Sequence, residues 1–169
     1  AVVEMGTNAP GEIAELARIA VPNVGVITSI SETHLEGLGS EEGVARAKAE
    51  LLESLGAKGT AFLNADDKWL EFLRARHAGR TVAVGAGDKA EFRATEIKPC
   101  EGGYSYVVRG HAVRLTVPGR HNVNNSLLAL AVAEHLGLDL AKAAARMASF
   151  RMPEMRYSVE RVRGIEVHF

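Results

Sequence analysis

Along the first half of the chain, short apolar runs bounded by turn residues alternate with stretches whose apolar positions recur every three to four residues, the signature of strands alternating with helices. Ala1 to Glu4 reads as a short apolar strand. Pro10 to Ala20 reads as a helix with Ile13, Leu16, Ala17 and Ala20 at helical spacing, and Val24 to Thr28 as the next strand, so the three predict a βαβ unit. A helix from Ser40 follows, then a strand Thr60 to Leu63, a helix from about Asp66 to Arg76, and a strand Thr81 to Val84 bounded by Gly79 and Gly85. Between Ala90 and Val117 the period falls to two, with Gly102, Gly103 and Gly110 as turns, which predicts an antiparallel meander packed beside the sheet or on its edge. Helical spacing returns from Asn122 to Leu136 and, rich in Ala, from Asp139 to Met147. The last twenty residues read as extended, with Pro153 blocking a continuous helix. The predicted fold class is α/β, a mostly parallel sheet flanked by helices with a small antiparallel β meander.

The helix from Ser40 contains a contradiction. Ser40 suits its N-cap, Glu41 and Glu42 its first turn, and Gly56 its stop. Val44, Lys48, Leu51 and Leu55 then share one face, the inward stripe of an amphipathic helix, with a lysine in the middle. Either Lys48 lays its methylenes along apolar surface and carries its ammonium out to water, or burial favours the neutral amine. A neutral lysine can act as a nucleophile or take up carbon dioxide to become a carbamate, an anionic metal ligand. His34, in a Gly-containing loop just before the helix, is placed where a ring nitrogen could meet the same cation.

Composition narrows the class without choosing a chemistry. A chain of 169 residues, nearly half hydrophobic, predicts one compact domain with a real core. The net charge of -1 gives no bulk attraction to nucleic acid or to an anionic membrane, so any anionic ligand must be held locally. The single Cys100 excludes an internal disulfide framework. With no apolar run long enough to span a bilayer and no signal peptide, the expected location is cytoplasmic.

Three motifs, VEMGTNAPGEI (Val3 to Ile13), THLEGLGS (Thr33 to Ser40) and AKAEL (Ala47 to Leu51), together resemble the central domain of the Mur ligases in order and spacing. The resemblance is greatest to the branch that joins D-alanyl-D-alanine to UDP-N-acetylmuramoyl-tripeptide. It implies ATP and magnesium as cofactors, those two substrates as partners, and a monomeric intact enzyme. By motif comparison Glu4, otherwise a solvated strand-end acid, matches the family's magnesium-binding glutamate, His34 the histidine at the second metal position, and Lys48 the lysine that is carbamylated. Lys48 and His34 are thereby the candidate catalytic residues. A carbamate would turn a costly buried cation into an anion paired with magnesium. GRHNVNN (Gly119 to Asn125) resembles the motif whose asparagines lie near the adenine. Asn122 also suits a helix cap, but His121, Asn122 and Asn125 form a polar cluster that capping alone does not explain. Arg156 aligns with an arginine that approaches the nucleotide phosphates, although Met155 stands where the family usually has Gly. Asn64, Asp66 and Asp67 match a motif on the nucleotide side and equally suit a turn and cap.

The largest departure from the family is an absence. No GxxxxGK[ST] phosphate loop occurs in these residues, and a chain starting in what looks like a strand already under way reads as a fragment. The expectation is that residues 1–150 are the central ATP-binding domain, incomplete at its N-terminus, and 151–169 its end leading toward a C-terminal domain. Such a fragment would be inactive alone. In the intact ligase the resemblance implies that ATP converts the tripeptide carboxylate to an acyl phosphate, from which the D-alanyl-D-alanine amine displaces phosphate. Alternatives are a folylpolyglutamate synthetase-like ligase and a non-catalytic α/β module that has lost its phosphate loop.

Overall fold

The computed structural model describes residues 1–31, 35–151, 159–162 and 165–168. Helix α1 (Glu12–Ala20) leads into β1 (Val24–Ile27). Helices α2 (Leu35–Leu38) and α3 (Glu41–Ser54) cross to β2 (Thr60–Asn64), and α4 (Leu70–Arg74) crosses to β3 (Arg80–Gly85). The chain continues through β4 (Phe92–Cys100), β5 (Gly103–Val108) and β6 (His111–Leu115) to α5 (His121–His135), α6 (Leu140–Arg146) and a 3-10 turn at Met147–Ser149. Strands β7 (Val159–Val162) and β8 (Ile165–His168) form a separate antiparallel pair, in keeping with the extended reading of the last segment.

The main sheet has six strands in the order of the chain, parallel from β1 to β4 and antiparallel from β4 to β6. The predicted meander is therefore part of the sheet: β4 pairs with β3 through Val84–Phe92 and Gly85–Arg93, then turns back through β5 and β6. A register shift between Thr95 and Lys98, with Glu96 at φ 52°, marks a bulge on β4.

Strand β2 is buried on both faces, Thr60 through Leu63, as a central parallel strand should be. Ala61 and Leu63 face α3 and α4 in one core. Phe62, with Val82, Val84 and Phe92, faces α5 in a second. Where α5 ends, a cleft of about 260 Å³ opens over Phe62 and Phe92, edged by Arg80, Glu91, Arg109 and Glu134.

On the α5 side, the buried Tyr106 hydroxyl and Ser126 Oγ share a hydrogen bond of 2.7 Å, and Ser126 donates to the Val123 carbonyl. Burial pushes the Tyr106 phenol up to about 12, partly offset by the Ser126 bond. Because the folded value lies above the unfolded one, this tyrosine's contribution is fully present below about pH 10 and is lost as pH rises toward about 12. Alkaline unfolding followed by circular dichroism is therefore expected to steepen in that window. Tyr106→Phe is expected to flatten it, and an unchanged profile would deny the tyrosine that role.

Three sequence expectations need correction. Ala1–Glu4 is not a strand: it pairs with no described strand, and Val2 and Val3 are exposed. Apolar residues do not make a strand without a ladder to complete their backbone bonds. The helix expected from Asp66 begins at Leu70, because the two aspartates bind loop amides instead of starting a helix. On α3, Ser40 caps through its Oγ, accepting from Gly43 N at 3.1 Å, and Gly56 follows at φ 64°, both as expected. The buried row, however, runs through Val44, Ala45, Ala49 and Leu52, leaving Lys48 and Leu51 half-buried. Alanines let the helix settle close to the sheet, with Leu51 and Leu55 over Gly25 of β1, where an added Cβ would come within 2.8 Å of Leu55 Cδ1.

Candidate functional site

In a parallel sheet the strand carboxyl ends form the natural crevice for ligands. Here the loop after β2 fastens that edge. Asn64 Nδ2 donates to the Thr28 carbonyl at 3.0 Å, and its Oδ1 accepts from Asp66 N at 2.9 Å. Asp66 accepts the amides of Ala86 and Gly87 on its two oxygens, each at 2.8 Å. Asp67 accepts from Ile30 N at 2.8 Å and from Trp69 N at 2.9 Å. These acids thus tie the ends of β1 and β3 to β2, the turn-and-cap role open to them in the sequence.

Lys48 stands at the same edge. Its Nζ donates to the Ser29 carbonyl just past β1 at 2.8 Å. Burial pushes its ammonium down from the usual lysine range, and the Asp67 carboxylate partly counteracts this. The side chain is half-buried, and its environment disfavours the ammonium relative to water.

Glu4 is exposed on the N-terminal segment that precedes α1. The segment after it is held by acids on helices. Glu12 Oε2 accepts from Asn8 N at 2.6 Å, from Ala9 N at 3.1 Å and from Thr7 Oγ1 at 3.2 Å. The amides of Asn8 and then Ala9 hold the Glu12 carboxyl below the usual carboxylate range. Among the described residues no three His, Cys, Asp or Glu side chains converge as a metal cluster. His34 lies outside the described residues, as does Arg156.

At the start of α5 the structure brings Asn122 and Asn125 together: Asn125 Nδ2 donates to Asn122 Oδ1 at 3.2 Å. Asn122 does not cap the helix. It sits within the first turn and donates from Nδ2 to the Pro118 carbonyl at 2.7 Å, while the cap position is Arg120, whose side chain makes no capping bond. His121 opens the same turn and is exposed. The neighbouring Asn124 was not singled out by sequence. Its Oδ1 is buried without a hydrogen-bond partner beside a cavity of about 50 Å³ that it lines with Asp66, Ala86 and Arg120. Nothing in the spacing of three nearby asparagines distinguishes the inward one before helix phase is known. The cavity joins the loop after β2 to the α5 N-terminus, so the Asn64–Asp67 loop and the Gly119–Asn125 stretch are neighbours in space.

Lys48 thus lies at the carboxyl edge of the parallel strands, and the Asn122–Asn125 pair at the start of α5. Residues 1–133 match the family described as Mur ligase middle domain, and the chain belongs to that family. It is 32% identical over 158 residues to UDP-N-acetylmuramoyl-tripeptide--D-alanyl-D-alanine ligase of Bacillus subtilis, covering 92% of this chain and 34% of the relative. It is 33% identical to the same-named ligase of Escherichia coli, covering 89% and 35%. The crystal structure of MurF from Acinetobacter baumannii superposes with a TM-score of 0.88 at 26% identity, covering 98% of this chain and 37% of that one. MurF ligase from Thermotoga maritima, solved in complex with ADP, shares the fold with a TM-score of 0.79 at 22% identity. The chain spans about a third of the length of these ligases.

Proposed function

We propose that this chain is the nucleotide-binding part of an ATP-dependent ligase that adds D-alanyl-D-alanine to UDP-N-acetylmuramoyl-tripeptide. Residues 1–150 serve as its middle domain, and 151–169 lead toward a C-terminal domain. The observation that carries this reading is Lys48: a half-buried amine with a depressed pKa, held by Ser29 at the carboxyl edge of a parallel sheet. Its neutral nitrogen can bond to the carbon of carbon dioxide and release a proton, leaving a carbamate. That donor set fits magnesium, which prefers carboxylate-type oxygens, and the residues that would hold it are Glu4, His34 and carbamylated Lys48. Magnesium, when bound, would offset the repulsion between the substrate carboxylate and the ATP phosphates. Asn122, Asn125 and His121 would receive the base at the α5 N-terminus, and Arg156 would approach the phosphates. Since no GxxxxGK[ST] loop occurs in these residues, the reading requires a phosphate cradle from sequence beyond them.

In the reaction, a tripeptide carboxylate oxygen bonds to the γ phosphorus as ADP leaves. The D-alanyl-D-alanine nitrogen then bonds to the acyl carbon, and phosphate and a proton depart. The chain's own part is to orient the nucleotide and to place fixed charge where negative charge moves.

The test is phosphate release by the whole protein with ATP and magnesium. Release that requires both UDP-N-acetylmuramoyl-tripeptide and D-alanyl-D-alanine is the expected result. Release with a folate and glutamate instead would assign it to the folylpolyglutamate branch, and failure to bind ATP by calorimetry would leave a non-catalytic module.

A further inference from the structure

Helix α1 starts without a cap of its own. Its N-cap residue is Gly11, at φ 91°, and no side chain from the adjacent loop closes its first turn. The cap comes instead from α3: Glu50 Oε1 accepts from Gly11 N at 2.7 Å, and Glu50 Oε2 accepts from Ala14 N at 3.1 Å. The loop so anchored is drawn in further by Glu12, through Thr7, Asn8 and Ala9, and Thr7 is buried. It also bears on α2, because the Asn8 carbonyl oxygen lies against Gly37, where any Cβ would collide with it. Three segments therefore meet at this loop: the one that follows Glu4, the helix that follows His34, and α3 itself. Lys48 and Glu50 sit on the same turn of α3, the lysine reaching the sheet edge at Ser29 and the glutamate reaching α1.

We infer that Glu50 is a positioning residue that fixes the Glu4-bearing segment to the helix carrying Lys48, and so sets the geometry of the divalent-cation site. This rests on the magnesium reading given above. Both carboxylate oxygens are needed, since each accepts a separate backbone amide. Glutamine keeps the shape but turns an NH₂ toward one of those amides, and alanine removes both acceptors.

The experiment uses the whole ligase, comparing wild type with Glu50→Gln and Glu50→Ala, and reads amide exchange at Gly11 and Ala14 together with Mn²⁺ binding by electron paramagnetic resonance. Expected is faster exchange at those two amides and Mn²⁺ binding weakened by about 10–100-fold, as for other residues that orient metal ligands. The unfolding midpoint of Glu50→Gln should stay close to wild type, so that lost binding is not lost folding. Unchanged Mn²⁺ binding with accelerated exchange would reduce Glu50 to a helix cap, and unchanged exchange would refute the cap itself. Glu4→Ala and Lys48→Met in the same assay separate the layers. If neither alters Mn²⁺ binding, the cation site falls and the role of Glu50 falls with it. If both weaken it and Glu50→Gln does not, only the positioning role is lost.

Discussion

Lys48→Met in the whole ligase is expected to lower kcat by about 10³-fold or more while leaving the unfolding midpoint within a few degrees of wild type. The two halves of this result have different origins. On the proposed reading, the rate loss follows from removing the amine that would become an anionic oxygen ligand, and electrostatic groups at such centres commonly carry factors of this size. The stability result follows from the position of Lys48 in the fold. Its ammonium is disfavoured by burial, so the unfolded chain holds that proton more tightly than the folded one does. The penalty is present throughout the neutral range and fades only as pH rises toward the unfolded lysine value. Methionine has similar length and no charge, so it removes this penalty while losing the single bond to Ser29. Kinetics and thermal unfolding of one preparation check both halves. A fall in midpoint as large as that of a core truncation would mean that Lys48 is a structural residue whose loss of activity is secondary. The depressed pKa also implies that added bicarbonate stimulates wild type more at mildly alkaline than at acidic pH, since only the neutral amine can take up carbon dioxide.

The largest stability change is expected from Leu63→Ala, at about 2–5 kcal/mol. Leu63 is fully buried in the middle of β2, enclosed by the α3 and α4 side of the sheet. Alanine would remove its contacts and leave a void that neighbours on a close-packed face fill only in part. Its neighbour Phe62 offers the internal comparison. It is just as buried but faces the other core beside the 260 Å³ cleft, which leaves space on one side of the ring. Phe62→Ala is therefore expected to cost less per atom removed than Leu63→Ala. Denaturant unfolding of the two variants decides this, and equal cost per atom would show that the cleft gives no relief.

What could be read from sequence and what could not divide along physical lines. The alternation of elements was legible because periodicity is local: β2, β3, α3 and α5 fall within a few residues of their predicted positions. The lysine on α3 stands out in the sequence against apolar neighbours, although the buried row of the helix runs beside it and not through it. Strand pairing was not. Ala1–Glu4 has strand composition yet no ladder, and the meander could be placed beside the sheet but not joined to β3 without knowing that Val84 meets Phe92. Polar side chains that act across the fold were hidden as well. Glu50 looks like an ordinary surface glutamate because its partners lie 39 and 36 residues away in sequence. Asn122 has the residue type of a cap, but α5 begins at His121 and so places Asn122 inside the first turn. The placements of His34 and Arg156 rest on motif resemblance alone.

The six strands of the main sheet lie side by side in the order in which they occur in the chain. Among these six, each strand emerging from the ribosome therefore finds its neighbour in the sheet already made. Such a sheet can be built from its first strand onward as the polypeptide is synthesised. That shortens the time during which the edges of β2 and β3 stand unpaired, while their Phe62 and Val82 face still waits for α5.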